Sequence, residues 1–92
     1  MIIFSSGLID ESVQVASNKC CLIGYSLYSD DAGGATLELF DGTNDSGVLV
    51  GKLVVGENGF LQYNLPSMGI RCPIGLYAKL TGDGEALVYY NR

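Results

Sequence analysis

The chain has 92 residues, of which 48% are hydrophobic and only 16% are charged, and its formal net charge is −5. This length allows one domain with one modest hydrophobic core. Nucleic acid and anionic membrane surfaces bind clustered Lys and Arg, whereas the five basic residues here are scattered singly along the sequence, so we expect neither partner.

Short segments in which apolar and polar residues alternate run along the chain, separated by glycine-rich turns. No window sustains the 3.6-residue apolar period of an amphipathic helix. We therefore expect one all-β domain over residues 1–92, a small two-sheet sandwich or jelly roll of about eight antiparallel strands. The predicted strands lie at about Ile2–Phe4, Ser12–Ala16, Cys20–Tyr28, Ala35–Phe40, Val48–Val55, Phe60–Leu65, Leu76–Thr81 and Glu85–Asn91.

The loop between the fourth and fifth predicted strands, residues 41–47, places oxygen donors at alternate positions, as a calcium loop does at its start. Ser46 stands where such a loop needs glycine, and Lys52 stands where it needs a bidentate glutamate. A simple hairpin connection explains the loop better, so we expect no metal site there.

Alternation within the strands predicts which side chains face outward. Leu37 and Leu39 are assigned to the core, for example, which leaves Phe40 on the polar face. Aromatic side chains are enriched in protein interfaces, so outward aromatics on several strands indicate an interaction surface. The alternatives are scattered surface aromatics, or bulges that shift the register. The predicted interface residues are Phe40, Phe60, Tyr77, Leu87 and Tyr89.

Self-association is the expected use of this surface, because so few charges cover a small monomer poorly. The strand Val48–Val55 is apolar at nearly every position, as in a strand covered on both faces. The alternative is a hydrophobic but monomeric sandwich.

Catalysis and cofactor binding are not expected, because the sequence contains no histidine and no metal-ligand spacing of cysteines. Strand alternation assigns Cys21 and Cys72 to the core, where thiols pack as small hydrophobes. The alternatives are a disulfide between Cys21 and Cys72, and a reactive thiol at Cys20 or Cys72.

From about Leu22 to Tyr90 the sequence resembles small β-sandwich structural proteins of tailed bacteriophages. A hairpin with Asp-Gly-Thr is followed by a proline-glycine-isoleucine turn, a glycine-leucine-tyrosine strand and a tyrosine-rich closing strand. The segments that carry this resemblance are Leu39–Thr43, Gly47–Val50, Pro66–Ile70, Ile74–Ala78 and Ala86–Tyr90.

The resemblance implies a non-enzymatic virion protein, above all a capsid decoration or cement protein that forms a homotrimer and binds the major capsid protein or another virion protein. Such a protein is made in the host cytoplasm, which agrees with the lack of a signal peptide or a membrane-length apolar segment. The alternative is a carbohydrate-binding or receptor-binding module of a tail, neck or fibre. Residues 1–16 have no counterpart in the resemblance, and we expect them to form an arm or an exchanged strand.

Overall fold

The computed structural model describes residues 2–65 and 69–92, and this part of the chain contains nine β-strands and no helix. The predicted all-β class and the two-sheet arrangement are confirmed. The proline of the predicted proline-glycine-isoleucine turn lies outside the described residues. The strands are β1 (Phe4–Ser5), β2 (Val13–Ala16), β3 (Cys20–Ser29), β4 (Ala35–Asp41), β5 (Val48–Val55), β6 (Gly59–Asn64), β7 (Ile70–Cys72), β8 (Leu76–Gly82) and β9 (Glu85–Asn91).

All pairings between strands are antiparallel, and they form two sheets. The first sheet has the order β1-β9-β3-β6, with β7 on the same side of β3 as β6 but beside the start of β3. The second sheet has the order β2-β8-β4-β5. Strands β5 and β6 are therefore edge strands, one in each sheet, and the short turn between them carries the chain from one sheet to the other.

Residues before β3 pair within their own chain and contribute to both sheets. Phe4 lies opposite Tyr90 of β9, and Val13 lies opposite Ala78 of β8. Between these strands Ile9 forms an isolated bridge with Ala86 and is only 5% exposed. This segment thus closes one side of the sandwich, the side remote from β5 and β6.

The core lies between the sheets and is filled largely by aliphatic side chains from the central strands. These residues alternate along their strands with outward-facing ones, as the sequence predicted for β4, β8 and β9. The largest fully buried hydrophobic side chains are Leu22, Leu27, Leu37, Leu39, Leu76, Val88 and Cys72.

A β-bulge in β3 reverses the orientation that alternation predicted for one of the cysteines. The register of β3 against β9 shifts between Leu22 and Gly24, so residues before and after this point differ in parity. Cys20 therefore faces the core and is 4% exposed, whereas Cys21 is partly exposed. The assignment of Cys21 to the core was wrong, and that of Cys72, which is fully buried, was correct.

The predicted alternative of a disulfide between Cys21 and Cys72 is also contradicted. All three cysteines are free thiols. The partner of Cys21 across the β3–β7 pair is Arg71, whereas Cys72 lies opposite Cys20.

Candidate interaction surface

Strand β6 is an edge strand that lacks the residue types that usually prevent pairing with another chain. Its sequence, Gly59–Asn64, contains no charged residue and no proline, which are the residues that usually block such edges. Its apolar side chains are exposed on both faces of the sheet: Phe60 is 60% exposed on the outer face, while Leu61 and Tyr63 are 45% and 49% exposed on the inner face. The strand therefore offers both an unpaired backbone edge and apolar side chains to a partner.

Strand β5 lies against β6 on the same side of the sandwich and adds further exposed apolar surface. Val48, Leu49 and Val54 are all at least about half exposed. The prediction that this strand is covered on both faces is wrong for the single chain, because β5 is the edge of its sheet and its outer face has no covering layer. We refer to the exposed apolar residues of these two strands as the β5–β6 surface: Val48, Leu49, Val54, Phe60, Leu61 and Tyr63.

Tyr25 and Tyr63 pack against each other where the core meets this surface. Tyr25 is 5% exposed, and its ring lies 5.8 Å from the ring of Tyr63 in a tilted arrangement. Burial, and secondarily the proximity of Tyr63, raises the pKa of the Tyr25 hydroxyl. One face of Tyr63 thus supports the core while the rest of its side chain is available to a partner.

The five residues predicted to form an interface do not form one continuous surface. Strand pairing places all of them on outer faces of the sandwich, but on opposite sheets. Phe60, Leu87 and Tyr89 belong to the outer face of the first sheet, and Tyr89 is separated from β6 by β3. Phe40 and Tyr77 lie opposite each other on the second sheet.

The exposure of these five residues also differs. Phe60 is highly exposed, whereas Leu87, Tyr89 and Tyr77 are partly buried. Phe40 is only 9% exposed, between its strand partners Tyr77 and Leu49, and so offers little area to another molecule. Their role in an interface stays a prediction, and Phe60 is the member best placed for it.

Sequence reasoning missed two members of the β5–β6 surface, Leu61 and Tyr63. Alternation assigned both to the core, and the strand pairing indeed directs them inward, opposite Leu27 and Tyr25. They remain exposed because β6 is the last strand of its sheet. Strand order was the information needed to find them, and alternation within one strand does not contain it.

Two carboxylates of the loop of residues 41–47 contact β8 and the connection that precedes it. Oδ1 of Asp41 accepts hydrogen bonds from the backbone amides of Ile74 and Gly75, at 3.0 and 3.3 Å. Asp45 forms a salt bridge of 3.2 Å with Lys79. Within the described residues, no group of three or more Cys, Asp or Glu side chains is arranged to hold a metal ion.

The buried thiols are poorly suited to act as nucleophiles, because the reactive form is the thiolate. Burial raises the pKa of Cys72 to about 12. Burial, and secondarily the neighbouring Cys21, also raises the pKa of Cys20. The two thiols that face each other across β3 and β7 therefore behave as apolar packing groups at neutral pH.

No protein-family model matches the chain, and neither the curated proteins nor the solved structures gave a match. The described residues include no helix that could cross a membrane.

Proposed function

We propose that this protein is a non-enzymatic structural subunit that assembles with copies of itself and binds other protein surfaces. The observation that carries the proposal is strand β6, an uncharged edge strand whose apolar side chains are exposed on both faces. A monomer with such an exposed edge is prone to aggregate by pairing with other chains, and a partner that covers the edge prevents this.

Burial of apolar surface on this side of the molecule can drive association. Burying about 500 Å² of apolar surface per subunit is worth roughly 12 kcal/mol before the costs of association are subtracted. A domain of this size has a stability of only about 5–10 kcal/mol. Covering the β5–β6 surface is therefore a large contribution for a small sandwich.

The resemblance to structural proteins of tailed bacteriophages suggests the particular form of this role. We propose a capsid decoration or cement protein, a homotrimer on the phage head that binds the major capsid protein. The small all-β fold and the exposed edge suit such a role, because a subunit that reinforces a protein lattice needs contact surface and no catalytic cleft. A gene located beside those for the capsid protein would support this form.

The assembly state of the purified protein tests the proposal. We expect light scattering at micromolar concentration to give a discrete oligomer, with a trimer as the decoration form requires. Leu61→Lys places a charge on the exposed inner face of β6 and should shift the mass toward that of the monomer. Thr81→Lys is the matched control, since it adds the same charge at an exposed strand position on β8. A wild-type protein that stays monomeric would contradict the proposal.

The alternative of a carbohydrate-binding or receptor-binding module has one specific observation in its favour. A cavity of about 380 Å³ places the partly exposed ring of Tyr28 beside several carboxylates, including Asp30 and Glu85. Aromatic rings and carboxylates are groups that can hold a sugar. A glycan-binding screen with and without chelator tests this: specific, calcium-dependent binding would favour the alternative.

A further inference from the structure

The structure brings together basic residues that are far apart in the sequence. A cavity of about 320 Å³ lies where β3 begins and where β7 and β9 end. Lys19, Arg71 and Arg92 line it, which are three of the five basic residues of the chain. All three side chains are exposed, and no carboxylate side chain lines the cavity. We call this the basic end of the molecule.

Two contacts position cations at the basic end. The guanidinium carbon of Arg92 lies 4.9 Å from the centre of the Phe4 ring, which holds that side chain by a cation–π contact. Arg71 lies opposite Cys21 on the neighbouring strand, so strand pairing fixes its position. Among the described residues the cations at this end form no salt bridge.

The opposite end of the same strands carries the opposite charge. The cavity of about 380 Å³ that Tyr28 lines lies where β3 ends and β9 begins. Its lining includes four carboxylates and no basic residue, and we call it the acidic end. The four are Asp10, Asp30, Asp83 and Glu85.

The two ends are separated by nearly the full length of the molecule. Strand β3 runs from Cys20 at the basic end to Ser29 at the acidic end, a rise of about 30 Å at ~3.3 Å per residue. The longest dimension of the protein is 36 Å. A single copy therefore cannot bring its own ends together, whereas two copies placed in line can.

We propose that the basic end of one copy binds the acidic end of a second copy, head to tail. Three cations line one end and four carboxylates line the other, so the two surfaces are complementary in charge. Such a contact is heterologous, and it leads to a ring if the rotation between copies closes and to a linear chain if it does not.

This contact is distinct from the one in the proposed function and does not rest on it. The β5–β6 surface is apolar and lies along the side of the sandwich, whereas the charged cavities lie at its ends. The dependence of association on salt concentration distinguishes the two contacts. Exposed charges are screened over a Debye length of about 8 Å at physiological ionic strength. Apolar association is not weakened in this way.

Complementary charge reversal tests the proposal. The basic-end variant carries Lys19→Glu, Arg71→Glu and Arg92→Glu, and is acidic at both ends. The acidic-end variant carries Asp30→Lys, Asp83→Lys and Glu85→Lys, and is basic at both ends. We expect each variant alone to associate at least about tenfold more weakly than the wild type at about 0.05 M NaCl, and an equimolar mixture to regain association.

Sedimentation velocity over a range of salt provides the readout, with circular dichroism to confirm folding. Wild-type association through the ends should fall as NaCl rises to about 0.5 M. If a reversed variant does not fold, the neutral pair Lys19→Gln and Arg71→Gln replaces it, with loss of the salt-sensitive association expected. A wild-type mass independent of salt, or a mixture that behaves as its separate components do, would overturn the proposal. Leu61→Lys should leave the salt-sensitive component intact even if it abolishes the apolar one.

Discussion

Tyr25 of the first sheet packs directly against the backbone of Gly51 in the second sheet. A Cβ atom at position 51 would lie 2.8 Å from both Cζ and the hydroxyl oxygen of the tyrosine ring. The glycine is therefore required by the approach of a ring from the facing sheet, at the point where the core meets the β5–β6 surface. The position of Gly51 in the middle of a strand whose only other non-apolar residue is Lys52 follows from this contact.

Gly51→Ala should accordingly destabilise the fold by about 1–3 kcal/mol, because overpacking forces the ring or the strand to move. Urea unfolding measures the change. Gly56→Ala is the matched control, since a Cβ there has no atom within 4 Å, and we expect little change. Combining Gly51→Ala with Tyr25→Leu should recover part of the loss. If Gly51→Ala is as stable as the wild type, the close approach of the ring is wrong.

Phe60 and Phe40 both lie on outer faces, yet we expect opposite consequences when each is replaced by Asp. Phe60 is 60% exposed, so Phe60→Asp should change the free energy of unfolding by less than about 1 kcal/mol while weakening self-association. Phe40 is 9% exposed, so Phe40→Asp should cost several kcal/mol, at least about 3, because it buries a charge and removes a packed ring.

Urea unfolding and light scattering on the same two variants separate these effects. A Phe60→Asp variant that unfolds would mean that Phe60 belongs to the core. One that is stable and fully assembled would exclude the outer face of β6 from the interface.

The sequence was sufficient for much of this fold, because alternation along a strand reports its two faces directly. Leu37 and Leu39 were assigned correctly to the core. The same reasoning misassigned Cys21, because the bulge next to Leu22 changes the parity without changing the composition of the strand. The short strand β7 (Ile70–Cys72) was not among the predicted strands, although alternation had placed Cys72 toward the core.

Features that depend on strand order could not be predicted in this way. The exposure of Tyr63 follows from the edge position of β6, and nothing in the local sequence specifies that position. The basic residues looked scattered, and Lys19, Arg71 and Arg92 meet only because three strand ends coincide. Both proposed contact surfaces thus depend on which strands pair with each other. The fold class, in contrast, could be predicted from alternation within single strands.

The carboxylate of Asp41 stabilises the connection between β7 and β8. It accepts two backbone hydrogen bonds, from Ile74 and Gly75, which would otherwise lack this partner. Asp41→Ala should therefore lower the free energy of unfolding by about 1–3 kcal/mol, and Asp41→Asn, which keeps one acceptor oxygen, by less. Thermal unfolding measures both. An increase in the melting temperature on adding calcium, lost in Asp41→Asn, would instead indicate a metal role for this loop.

Stability should decline at alkaline pH because of the buried thiol of Cys72. Its pKa is raised by burial from about 9 in the unfolded chain to about 12 in the native protein. Between these values the unfolded state loses the proton and the native state keeps it, so the free energy of unfolding falls by about 1.4 kcal/mol per pH unit for this group. Its contribution is complete below pH 9 and is lost as the pH rises toward 12.

Urea unfolding at several pH values from neutral to alkaline, on the wild type and on Cys72→Ala, isolates this contribution. The variant is less stable at neutral pH because it leaves a small cavity, but its stability should decline less steeply above pH 9. Thiol labelling at neutral pH provides an independent check, in which the partly exposed Cys21 should react before Cys20 and Cys72. Equal slopes for the two proteins, together with rapid labelling of Cys72, would mean that this thiol is accessible to solvent and that β7 does not cover the end of the core.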